Sequence, residues 1–124
     1  MKPVSKISDA EWEVMTVVWN HAPVAASDII EQLSARRSWS SRTIRTLLDR
    51  LVKKQALTFQ VEGKRYLYRP RLKMEQCVRK ESQSFLERVF GGEPGSMLIH
   101  LVKHAKLSPD EIAELKRILS EKEK

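Results

Sequence analysis

Residues 41–70 read SRTIRTLLDRLVKKQALTFQVEGKRYLYRP, and the hydrophobic period changes partway through them. Up to Lys54 the apolar residues Ile44, Leu47, Leu48 and Leu51 recur at intervals of three and four, the spacing of one helix face. From Leu57 the pattern switches to alternation: Leu57-Thr58-Phe59-Gln60-Val61, then Glu62-Gly63-Lys64-Arg65, then Tyr66-Leu67-Tyr68-Arg69-Pro70. Period two marks strands, Gly63 supports a tight turn between them, and Pro70 closes the second. The stretch predicts a helix over 41–54 running almost directly into a β-hairpin.

Upstream, Ile7-Ser8-Asp9-Ala10-Glu11-Trp12 places Ser8 at an N-cap with Glu11 three residues on, a capping box, and Ile7 with Trp12 as a hydrophobic staple. A helix over about Asp9–Asn20 follows, with Trp12, Met15, Val18 and Trp19 on its apolar stripe. Ala26 to about Ala35 reads as a short amphipathic helix through Ile29, Ile30 and Leu33. Trp39-Ser40-Ser41-Arg42-Thr43-Ile44 starts the third with a cap and staple but no glutamate at N3. Three helices followed by a hairpin is the winged helix-turn-helix pattern. Downstream the reading is all helix: about Lys73–Phe90, a Gly91-Gly92 break, about Pro94–His104, and Ser108 to about Lys122, where Leu107-Ser108-Pro109-Asp110-Glu111-Ile112 repeats the box and staple. The expected fold is therefore mainly α: a winged helix-turn-helix domain over 1–71 and a three-helix dimerisation subdomain over 72–124.

The composition narrows the function classes. The chain has 124 residues, 41% hydrophobic and 31% charged, with 23 lysines and arginines against 16 acidic residues, for a net charge of +7. That size suits one unit or two small ones, and the charge favours an anionic partner. No run approaches the ~18 apolar residues of a membrane span, and Met1–Ser5 (MKPVS) is not followed by a secretory pattern, so a cytoplasmic protein without membrane insertion is expected. A single cysteine, Cys77, and three scattered histidines exclude a zinc finger or a paired-cysteine redox motif. The positive charge is concentrated: residues 36–71 hold 11 basic side chains against Asp49 and Glu62.

The third helix is the candidate reader of nucleic acid. Opposite its apolar stripe project Arg42, Thr46, Asp49 and Lys53, flanked by Thr43, Arg45 and Arg50. A major groove accepts a helix of this width; arginine binds guanine bidentately or clamps phosphate, and a threonine methyl meets a thymine methyl. At the hairpin tip, Lys64 and Arg65 are placed to contact phosphates or enter a minor groove. Any surface helix carries charge, but the preceding helices, the basic hairpin and the local excess favour a double-stranded DNA partner. Tyr66 and Tyr68 are expected to pack on the helical core rather than to stack on bases.

The C-terminal apolar residues suggest a second copy of the chain as partner. Val78, Phe85, Leu86, Val89 and Phe90 mark one helix, Met97, Leu98, Leu101, Val102 and Ala105 the next, and Ile112, Leu115, Ile118 and Leu119 the last. Three short helices are marginal alone, so a homodimer would complete their core; the alternative is that they fold back on the N-terminal helices. His100 and His104 stand at i and i+4, but nothing nearby completes a metal site, and no cofactor or catalytic residue is expected. Cys77 is read as a small buried hydrophobe. Two other functions stay open: a winged-helix protein-interaction module, and a nonspecific architectural DNA binder.

The chain resembles the BlaI/MecI penicillinase repressors along nearly its whole length. The likeness is carried by Ile7-Ser8-Asp9-Ala10-Glu11-Trp12-Glu13-Val14-Met15 with Val18-Trp19, by the run Ser41 to Lys54, by Phe85-Leu86 with Phe90-Gly91-Gly92, and by Ile112-Ala113-Glu114-Leu115. It implies a homodimeric repressor that binds dyad-symmetric operators of β-lactamase or penicillin-binding-protein genes. It also implies release by cleavage in the C-terminal helices once a membrane sensor protease detects the drug. Carried over by position, Ser41, Arg42, Thr43, Arg45 and Thr46 would contact DNA from the helix, and Lys64 and Arg65 from the wing. The family's cut between Asn and Phe falls here at His100-Leu101, where both residues differ, so the same cut is not implied. The related CopY copper repressors carry a cysteine-rich metal site, which Cys77 alone does not provide.

Overall fold

The computed structural model describes residues 6–124; the Met1–Ser5 stretch lies outside them. Its elements run α1 (Asp9–His21), β1 (Val24–Ala25), α2 (Ala26–Arg36), α3 (Ser41–Lys53), β2 (Leu57–Glu62), β3 (Arg65–Pro70), α4 (Met74–Phe90), α5 (Pro94–His104) and α6 (Pro109–Lys122). The helix starts follow the sequence grammar. Ser8 and Ser108 accept from the amides of Glu11 and Glu111, whose carboxylates accept in return from the cap amides. Ser40 accepts from the amide of Thr43, and Thr43, occupying the place of the glutamate, hydrogen-bonds the Ser40 hydroxyl through its own at 3.0 Å.

The chain divides into two compact units, one ending at Val78 and the other Arg79–Lys124, with the boundary inside α4. The first is built on a core of Val14, Met15, Val18, Ile29, Leu33, Ile44, Leu48 and Leu51, all buried, joined by Leu57, Tyr68 and Cys77. Three features close it on the C-terminal side. The Trp19 indole N–H donates to the Leu72 carbonyl at 2.8 Å, Trp12 packs edge-on against Trp19, and Cys77 is buried in the first turn of α4.

The expected hairpin is present and belongs to a three-stranded antiparallel sheet of order β1-β3-β2, in which β1 is an addition to it. Val24 pairs with Tyr68 and Ala25 with Leu67. Two residues are too few to show a period, so β1 is legible only from its partner. The β2–β3 register runs from Leu57 opposite Pro70 to Glu62 opposite Arg65, around a two-residue turn in which Gly63 has φ +62°. A glycine at the first turn position with positive φ matches the right-handed twist of the strands.

The second unit has a different character. No residue of α5 or α6 is buried. Among the described residues, no helix is long and apolar enough to cross a membrane.

Candidate nucleic-acid interface

Burial on α3 separates two faces. Ile44, Leu47, Leu48 and Leu51 are buried, while Ser41, Arg42, Thr43, Arg45, Thr46, Asp49, Arg50 and Lys53 are exposed. At 100° per residue Arg45 and Asp49 share one flank, Thr43 and Arg50 the other, and Arg42, Thr46 and Lys53 lie between. The hairpin packs on this helix through Tyr68 and Leu57, which share the buried core with Leu47, Leu48 and Leu51. The Tyr68 phenol is raised above its ordinary pKa first by burial and then by the negative charge of Asp49, with the positive charge of Arg45 opposing. Both side chains are therefore close enough to the sheet for their fields to reach it.

The cations are not equivalent. Among the described residues, no carboxylate forms an ion pair with Arg42, Arg45, Arg50, Lys53, Lys64 or Arg65, so their charge is available to a partner. Other members of the basic cluster are engaged. Lys54 donates to Glu11 Oε1 and to the Lys6 carbonyl, Arg37 pairs with Glu13, Arg71 donates to Gln55, and Arg69 donates to Gln60. Of these, only Lys54 and Arg37 have their charge offset by a carboxylate; Arg69 and Arg71 are held in place by neutral amides and keep theirs.

The threonines are constrained too. Thr46 donates its hydroxyl hydrogen to the Arg42 carbonyl at 3.0 Å, leaving an acceptor oxygen and a methyl for any base beside it. Thr43 shares its hydroxyl with the cap serine. Neither requirement is visible in the spacing, which shows only that both residues are on the exposed side.

Tyr66 departs from its expected place. Tyr68 is buried, as anticipated, but Tyr66, two residues nearer the tip, is exposed and lies against Phe59 with ring centroids 5.3 Å apart. The helices end before the hairpin does, so the strand face that begins in the core continues out of it.

In the second unit, Phe85, Val89, Leu98, Leu101, Val102, Ile112 and Leu119 are exposed and Leu86 and Leu115 half-buried. His100 and Leu101 are both exposed on α5, and the His100 and His104 rings are 4.6 Å apart. Among the described residues, no group of three or more His, Cys, Asp or Glu could hold a metal ion.

The penicillinase repressor family model matches residues 7–121, nearly the whole chain. The chain belongs to that family. The penicillinase repressor of Bacillus licheniformis is 40% identical over 98% of this chain and 94% of its own length. The methicillin resistance regulatory protein MecI of Mammaliicoccus sciuri is 38% identical over 94% and 95%. Among solved structures, the Bacillus licheniformis BlaI monomer in complex with the blaP half-operator is 43% identical, with a TM-score of 0.53, over 60% of this chain and 92% of that one. The family assignment agrees with the winged-helix geometry.

Proposed function

We propose that this protein is a cytoplasmic transcriptional repressor that binds an operator as a homodimer. α3 enters the major groove, and the β2–β3 hairpin acts as the wing. The observation that carries the reading is the set of unpaired cations, Arg42, Arg45 and Arg50 on α3 with Lys64 and Arg65 at the turn, on a helix whose other face is wholly buried. A rigid helix presenting arginines and a threonine methyl is suited to base edges, whereas the turn cations are suited to phosphates. The relative solved in complex with the blaP half-operator supports operator DNA as the partner.

Dimerisation through the second unit supplies the two-fold symmetry that a pair of half-sites requires. Its support is the exposure of Val89, Leu98, Leu101, Val102 and Leu119, which find no core in the single chain. Release by a membrane sensor protease completes the proposal, with the exposed His100–Leu101 bond as the position to examine by mass analysis of cleavage products. The deciding experiment is selection of bound fragments from a random duplex pool. Recovery of palindromic sites whose half-sites lie about one helical turn apart is expected; recovery of unrelated sequences would favour an architectural binder, and no retention at low salt an interaction module.

A further inference from the structure

One face of the wing is apolar and uncovered. Phe59 lies opposite Tyr68 and Val61 opposite Tyr66, so the four side chains share a strand face. Tyr68 is buried, but Phe59 is 44% exposed, Tyr66 46% and Val61 53%. The rings form a continuous row, Tyr68 to Phe59 at 5.8 Å and Phe59 to Tyr66 at 5.3 Å. Packing against buried Tyr68 holds the exposed rings in place, so little side-chain freedom remains to be lost on contact. The row begins at Tyr68, which shares the core with Leu47, Leu48 and Leu51 of α3, and ends at the turn carrying Lys64; Arg65, one position from Tyr66, lies on the opposite strand face across from Glu62. Glu62 is the only acid on the hairpin.

We infer that this face is a contact surface for the sugar edge of a DNA strand flanking the groove that α3 occupies. A nucleic-acid strand alternates anionic phosphates with apolar deoxyribose edges. A row of rings running from α3, with its unpaired arginines, to Lys64 at the turn is complementary to that alternation, whereas a wholly apolar protein partner would leave those cations without counter-charges. The surface is continuous with the α3 face, so docking that helix brings the strand to it. The inference rests on the DNA-binding reading above and adds a class of contact that contributes affinity without charge.

This gives it a distinct signature. Rings covering sugars release no counterions, so removing one lowers affinity but leaves the salt dependence intact, whereas removing a phosphate-binding lysine changes both. Phe59→Ala and Tyr66→Ala in the full chain are expected to weaken binding about tenfold, the effect of losing one well-buried apolar side chain. The loss should be equal on a selected duplex and on a random-sequence duplex, with an unchanged slope of log affinity against log salt. As an independent measurement on the unaltered protein, Tyr66 should be protected from nitration by added duplex, while Tyr68 is shielded with or without it. Unchanged duplex affinity in both variants together with unprotected Tyr66 would overturn the inference and leave the DNA reading standing. A change in sedimentation of the variants without a change in duplex affinity would likewise overturn it, in favour of a protein partner. If the unaltered protein failed to retain any duplex, both would fall.

Discussion

Lys54, the residue that caps α3, donates its ammonium to Glu11, the N3 residue of the capping box that starts α1. The end of the candidate reading helix is thereby fastened to the beginning of the first helix, forty-three positions away in sequence. Burial alone would raise the Glu11 carboxyl, but the Lys54 ammonium, the Ser8 amide and the Ser8 hydroxyl outweigh it and hold the group below its ordinary range. Glu11 Oε2 is buried as well and has no hydrogen-bond partner among the described residues. The pair joins the helices at a desolvation cost, so its removal on one side only is what harms the fold.

Glu11→Ala is therefore expected to destabilise the first unit by about 3 kcal/mol, since it strands Lys54 and opens the capping box. Glu11→Gln, which keeps an acceptor for the Ser8 amide, should cost about half of that. Because the folded carboxyl is depressed, its contribution is present above the unfolded pKa and is lost as pH falls through the folded value. Urea midpoints measured from neutral pH down to roughly pH 3 should fall more steeply for the unaltered protein than for Glu11→Gln. Parallel curves would show that the pair contributes nothing electrostatically.

Arg45→Ala and Lys64→Ala separate reading from holding. Arg45 lies on the exposed side of α3 and Lys64 in the turn. Arg45→Ala should weaken a selected operator roughly tenfold to a hundredfold and relax base preference, the consequence of losing a bidentate contact. Lys64→Ala should weaken all duplexes alike and reduce the salt slope by about one. Mobility shifts over a salt series distinguish the two, and an Arg45 variant with full operator affinity would remove that residue from the interface.

Trp19→Phe tests the closure of the first unit. It deletes the indole donor to the Leu72 carbonyl and leaves most of the apolar surface. A loss of about 1–2 kcal/mol is expected in thermal or urea unfolding, because the half-buried carbonyl loses its partner. A variant as stable as the parent would mean that water replaces the indole without penalty.

The helices were legible because their signals are local. Ser8, Ser40 and Ser108 start helices through hydrogen bonds to residues three positions on, so sequence alone contains both partners. The hairpin was legible for the same reason, as Gly63 and the period-two runs are neighbours. β1 was not, because Val24 and Ala25 become a strand only when Tyr68 and Leu67 arrive beside them. Tyr66 could not be told from Tyr68 by pattern, since they share a face and differ only in how far the helices reach along it. At the candidate site, sequence placed Arg42, Arg45 and Arg50 on the exposed side of α3. It counted Lys54 among the basic residues without revealing that Glu11 already holds it.

The dimer is the part of the proposal most directly open to measurement. Leu98, Leu101 and Val102 on α5 and Leu119 on α6 are about half exposed. Helices this short enclose too little apolar surface to be stable with so much of it in water. Leu101→Asp would place a carboxylate within the surface assigned to the partner, where burial without a counter-charge is strongly unfavourable. In equilibrium sedimentation the unaltered chain is expected at twice its sequence mass and the variant at the single-chain mass. Affinity for a duplex with two half-sites should fall at least tenfold, since each unit then binds independently and the linked second contact is lost. Affinity for a single half-site should be unchanged, because Leu101 lies outside the unit that carries α3. If the unaltered chain sedimented as a single copy at micromolar concentration, the two-fold arrangement would have to be abandoned while the reading of α3 and the wing remained.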